Sequence, residues 1–130
     1  MRYRSSHKVL LMDFFGGSKK IKSYALSLRF SYRGNLALDK FEQGLNNLLE
    51  GNLILESTHP LAKVFQVLEA MSLFNVIFVE SISLECLGKT FFNLISRNSG
   101  ILVEWLEVSI DDKISYLYVK EGIDAETINI

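Results

Sequence analysis

The 130-residue chain has one cysteine, one proline, one tryptophan and two histidines. A single thiol, Cys86, excludes an internal disulfide framework and predicts a reducing, cytoplasmic setting. An excess of one charge is also missing, since 14 Lys+Arg stand against 15 Asp+Glu for a formal net charge of -1. No global field draws such a chain to nucleic acid or to an anionic membrane, and neither is expected as a partner. Long apolar runs are absent too. The richest, residues 71–79, is interrupted by Ser72 and Asn75 and falls short of the ~18 residues of a membrane span. The N-terminal run Val9-Leu10-Leu11-Met12 is cut by Asp13 with no small-residue cleavage site after it, so it does not read as a secretory leader.

Against these absences stands a content of 48% hydrophobic residues, enough in a chain of this length for one core without a metal or disulfide staple. A single domain over residues 1–130 is expected. The clearest pattern runs over residues 21–32, where Tyr24, Leu26, Leu28, Phe30 and Tyr32 alternate with Ser23, Ser27, Arg29 and Ser31. Period two with large apolar groups on one side predicts a half-buried strand. Residues 8–15 read as a shorter strand, joined to it through Gly16-Gly17-Ser18 as an antiparallel hairpin. Leu38, Phe41, Leu45, Leu48 and Leu49 recur at helical spacing, with Asp39 and Glu42 as a capping-box-like start and Gly51 as the stop. A second helix is signalled by Ser83 as N-cap, Glu85 in the first turn, and the stripe Leu84, Leu87, Phe91, Leu94 and Ile95. Residues 101–110 and 114–120 flank Asp111-Asp112-Lys113 as a second hairpin, and residues 122–130 form a tail.

The order β-β-α-α-β-β predicts an α+β domain, a four-stranded antiparallel sheet with both helices on one face. Residues 53–81 are an insert between the helices, in which Pro60 opens a short helix through Leu61, Val64, Phe65 and Leu68 and residues 76–79 form a short strand. The sheet's other face is then solvated or covered by another subunit. Ile101, Val103 and Trp105 alternate with Leu102, Glu104 and Leu106, which predicts a strand buried on both sides.

Tyr3-Arg4-Ser5-Ser6-His7 places a histidine four residues after an aromatic, and Ile82-Ser83-Leu84-Glu85 and Tyr118 stand at further matching points downstream. Over residues 3–118 these motifs resemble the 6-pyruvoyltetrahydropterin synthase and 6-carboxytetrahydropterin synthase family, in which the first of them supplies the first zinc ligand. Lys20-Ile21-Lys22-Ser23-Tyr24 stands where the family has His-Gly-His-aromatic, so lysines replace both further ligands. Leu49-Glu50-Gly51 falls at its Leu-Asp-His segment without the histidine, and Ile82-Ser83-Leu84-Glu85 resembles its Pro-Thr-x-Glu helix start. Tyr118 matches the last motif, with Ile110 at the position of its glutamate and Asp111 adjacent. The family's cysteine upstream of His-Gly-His has no counterpart.

The resemblance implies a tunnelling-fold-like subunit that associates through sheet edges into a homo-oligomer. It implies no zinc, because two ammonium groups at ligand positions repel the ion and offer it no lone pair while protonated. Without zinc or a thiolate it implies a catalytically inactive or repurposed protein, with a pterin- or purine-like ligand between subunits and Glu85, Ser83, Lys20, Lys22 and Asp111 as its contacts. His7 is a remnant ligand on this reading. No catalytic residue is assigned and no cofactor is expected.

Each candidate also has a structural reading. Glu85 and Ser83 suit a helix N-terminus, Asp111 a hairpin turn, the lysines a solvated strand end, and Cys86 a small buried hydrophobe. An isolated His7 between Arg4 and Lys8 suits the surface. Three functions therefore stand open: the inactive pterin-synthase-like protein, an active enzyme of the same fold using Glu85, His7 or a lysine of lowered pKa, and a small protein-interaction module of unrelated α+β fold.

Overall fold

A computed structural model describes residues 1–12, 15 and 20–122. The period-two segment forms β2 (Ile21–Arg33), with Tyr24, Leu26, Leu28, Phe30 and Tyr32 buried on one face. It pairs antiparallel with β1 (Arg2–Met12), from Arg2 opposite Ser31 to Met12 opposite Ile21. β1 thus begins well before residue 8. The expected Gly16-Gly17-Ser18 turn lies outside the described residues, as does the tail beyond Gly122.

Both predicted helices form, as α1 (Leu38–Leu49) and a longer one over Leu84–Asn98. The first has Ala37 rather than Asp39 at its N-cap and no side-chain cap, and Asp39 lies in the first turn. The second starts as its hydroxyl predicted, with Ser83 Oγ accepting the Cys86 N–H at 3.2 Å. The second hairpin also forms, from strands Leu102–Ile110 and Ile114–Val119. Asp111 and Asp112 adopt φ of 52° and 53° in its turn, the left-handed conformation that short aspartate side chains tolerate.

The expected four-stranded antiparallel sheet with two helices, tunnelling-fold-like, is corrected at the insert. Residues 53–81 form β3 (Leu53–Glu56), α2 (Ala62–Ala70) and β4 (Val76–Val79), so that the long helix is α3 and the last two strands are β5 and β6. Among the described residues the result is one six-stranded mixed sheet, ordered β4-β3-β1-β2-β5-β6, with three helices. β3 runs parallel to β1, and β4 parallel to β3. Leu53-Ile54-Leu55 and Val76–Val79 show no alternation because both of their faces are covered, which removes the period-two signal. Leu53, Leu55, Val76 and Phe78 pack with Leu10 and Met12 against Ala62 and Phe65 of α2. Ile54, Ile77 and Val79 join the main core under α1 and α3. Within α2, Phe65 and Leu68 turn inward while Leu61 and Val64, expected on the same stripe, are exposed.

The far face of the antiparallel half carries Ser6, Ser27, Ser109 and Ser115 in one cross-strand row, with Arg4, Arg29 and Glu107 in the next. β5 is not apolar on both sides throughout. A bulge opposite Ser31 and Tyr32 sets Trp105 across from Ser31, under the Arg29 and Arg2 guanidiniums at 5.5 and 6.0 Å, while Val103 and Leu106 stay in the core. Leu102 is exposed, and Glu104 pairs with Arg33 at 3.2 Å. Among the described residues no helix is long and apolar enough to cross a membrane.

Leu28 is fully buried at the centre of the sheet, and Leu28→Ala is expected to cost about 3 kcal/mol of stability. Val67→Ala, on the exposed side of α2, should change stability by less than about 0.5 kcal/mol. Urea unfolding followed by circular dichroism checks both; equal losses would contradict the packing of α2.

Candidate functional site

On the inner face of β1 the side chains are Tyr3, Ser5, His7, Val9 and Leu11. Val9 and Leu11 are what a core requires, whereas Ser5 and His7 break the pattern. His7 is the one buried polar or charged residue among those described, at 6% exposure, so the surface reading of this histidine is corrected. It lies inside because odd positions of β1 face the helices, an orientation set by pairing with β2.

The polar side chains are linked. Ser5 Oγ is 2.9 Å from His7 Nε2 and also bonds the Tyr3 side chain. The Tyr3 ring packs against Phe30 and edge-on to Phe41, with centroids at 5.2 and 5.0 Å. Burial pushes the Tyr3 phenol above its ordinary pKa, the Glu42 carboxylate pushes further in the same direction, and the Ser5 bond opposes them. His7 Nδ1 is buried without a hydrogen bond; Glu50 Oε2 stands 3.8 Å away, too far for one.

The backbone of the same strand is asymmetric. Met1 and Tyr32 exchange backbone bonds of 3.0 and 2.9 Å, so odd residues of β1 bond to β2 and even residues turn to the opposite edge. There Lys8 C=O accepts the Gly51 N–H at 2.6 Å, the Lys8 N–H donates to Glu50 Oε2 at 3.0 Å, and the Leu10 N–H donates to Asn52 C=O at 2.9 Å as β3 arrives. No strand reaches Arg4 and Ser6, whose edge-facing N–H and C=O groups have no backbone partner among the described residues. Beside this edge α1 presents Asp39, Glu42, Gln43 and Asn46, the i, i+3, i+4, i+7 stripe that flanks its apolar face. Helix and edge enclose an open groove of about 440 Å³. Asp39 and Glu42 have no ion-pair partner among the described residues.

Ser5, His7 and Glu50 have the connectivity of a nucleophile, a base and an orienting acid. Two features oppose that use. Glu50 is committed to the Lys8 N–H, and the carboxylates of Asp39 and Glu42 would destabilise an oxyanion in the groove. The arrangement suits binding of a polar or cationic group. Among the described residues no three His, Cys, Asp or Glu side chains gather as metal ligands.

Of the residues singled out from sequence, only His7 lines this groove. Lys20 and Lys22 are exposed at the start of β2, and both have partners. Asp111 closes the β2–β5 ladder, its Oδ1 accepting the Ala25 N–H at 2.7 Å and its own N–H donating to Ala25 C=O at 2.8 Å. Ser83 caps α3 and Glu85 is exposed in its first turn. Tyr3, Ser5, Asp39, Glu42, Asn46 and Glu50 were not singled out as binding residues. The available signal was a polar interruption, Ser5 and His7, on the inner side of a strand that ends in Val9 and Leu11.

No family model and no curated protein matches the chain. Similarity to a solved structure extends over nearly the whole fold. The crystal structure of an uncharacterized protein from Wolinella succinogenes has a TM-score of 0.64 at 11% identity, covering 93% of this chain and 98% of that chain. At that identity the likeness is one of architecture alone.

Two expectations follow for the site. Burial holds the Tyr3 phenol protonated in the fold, so the unfolded chain releases that proton first as pH rises past 10.0, and stability falls from there upward. Urea midpoints at pH ~8 and ~11 should therefore differ less in Tyr3→Phe than in the native chain. The triple substitution Tyr3→Phe, Ser5→Val and His7→Leu removes the linked hydrogen-bonding groups together and should leave stability unchanged or raised, whereas Ser5→Ala alone should lower it by about 1 kcal/mol. Thermal unfolding distinguishes these; a triple variant that loses several kcal/mol would mean that the polar row serves folding.

Proposed function

We propose that the chain is a protein-interaction module whose recognition site is the groove between β1 and α1. The observation that carries this reading is a hydrogen-bonded polar row, the buried Tyr3 and His7 with the half-buried Ser5 between them, lying under a strand edge that no other strand covers among the described residues. Buried polar side chains cost stability relative to apolar ones of similar size, so their concentration beside an open groove favours recognition over packing. The groove's wall is rich in hydrogen-bonding groups and carries two unpaired carboxylates, which suits a polar polypeptide surface better than a small apolar ligand.

The pterin-synthase-like reading drew on a four-stranded sheet in place of which a six-stranded one forms, and it is not carried forward. The interaction-module reading is independent of that sheet. A second polar depression, on the open face around Arg4, Ser27, Arg29 and Ser109, is less suited to the role because the Arg29 guanidinium is engaged by Glu107 at 3.1 Å.

Selection of phage-displayed peptides on the immobilised protein tests the proposal. Asn46 is an exposed α1 residue on the groove wall, and Asn46→Trp should fill the groove without disturbing the core. Selected peptides are expected to bind the native chain and to lose at least about tenfold in affinity for the variant. Peptides that bind both proteins equally would place recognition elsewhere.

A further inference from the structure

We infer that the groove takes an extended segment of a partner protein, added as a strand to the free edge of β1, with a lysine or arginine side chain directed at Asp39 and Glu42. This rests on the groove being the recognition site and specifies what enters it. Arg4 and Ser6 present N–H and C=O groups along the edge, in line with the path that β3 takes from Leu10 onward. A segment of about four residues satisfies them by β-augmentation, the mode in which main-chain bonds supply affinity and alternate side chains supply selectivity.

Alternation then sets the chemistry on each side. Side chains of one parity point to the helix side, into the space walled by Asp39, Glu42, Gln43 and Asn46. Asp39 and Glu42 are three residues apart on α1, about 5 Å between neighbouring positions on a helix surface, so one guanidinium or ammonium reaches both. Side chains of the other parity lie on the open face beside Arg4, where an acidic or small residue is favoured and a basic one is repelled. The acidic pair does not stand alone. His7 Nδ1, on a side chain at 6% exposure lining the same groove, is a buried polar atom without a hydrogen-bond partner, and the β1 edge beside it is unpaired among the described residues.

A second copy of this chain is a poorer occupant. Pairing β1 with itself would put Arg4 and Lys8 of both copies on one face and the Glu42 carboxylates of both on the other.

The test uses a positional-scanning library of octapeptides with the native protein, read by fluorescence anisotropy. The expected preference is Lys or Arg at one position flanked by acidic or small residues. For the best peptide, N-methylation should weaken binding roughly five- to tenfold at alternate residues, those whose N–H faces β1, and leave the intervening ones unaffected. Glu42→Gln should weaken it by a similar factor. Ser6→Pro removes an edge N–H that takes no part in the β1–β2 ladder and should also weaken it; the N-methyl series gives the same information without altering the protein. Binding that is lost in Asn46→Trp but shows no basic preference, or no alternation on N-methylation, overturns this inference and leaves the groove as the recognition site. A concentration-dependent dimer in light scattering that Ser6→Pro abolishes overturns the choice of occupant. If every bound octapeptide is indifferent to Asn46→Trp, both readings fail.

Discussion

The position at which β3 joins β1 governs the rest of the molecule. α1 ends at Leu49, Gly51 adopts φ of 73°, and the chain reverses so that Gly51 N–H meets Lys8 C=O and Asn52 C=O meets the Leu10 N–H. Glycine reaches that left-handed conformation without the penalty of a Cβ. Asn52 secures the reversal from its other end, its Nδ2 donating to the Asn47 carbonyl near the close of α1. Because β3 joins β1 at Leu10, with Gly51 reaching back only to Lys8, just the C-terminal end of β1 is enclosed between strands. The N-terminal half keeps an open edge beside the helix.

The same strand therefore has two environments on one face. Val9 and Leu11 are fully buried and contribute to the core, while Tyr3, Ser5 and His7 share hydrogen bonds beneath a groove. An unpaired sheet edge is a hazard in most proteins, because it templates further strands. Here the outward side chains Arg4 and Lys8 and the adjacent α1 restrict what can approach, and the Glu50 carboxylate occupies the last free N–H before β3 begins. A guarded but open edge is the kind of feature that selects a partner by charge.

Most of the antiparallel part of the sheet was legible in the sequence. Tyr24 to Tyr32 alternate because one face meets α1 and α3 and the other faces away, and Ser83 announces the start of α3 with a hydroxyl that does cap it. The parallel part was not legible. Leu53 to Leu55 and Val76 to Val79 are uniformly apolar, since α2 covers one side and the main core the other, and a uniform run does not distinguish a buried strand from part of a helix. Trp105, expected in the core or at an interface, is buried, but a bulge turns it to the open face, where two guanidiniums lie over it.

Local chemistry by itself determined the second hairpin, the helical segments α1 and α3, and the inward face of β2, because period, caps and turn residues act within a few positions of one another. Tertiary structure alone decided that His7 is buried, that residues 53–81 extend the sheet, and that Arg4 and Ser6 lack a neighbouring strand among the described residues. Those three outcomes depend on which strands become neighbours, and strand adjacency is set by the joint covering of both sheet faces, a condition that no single stretch of residues records.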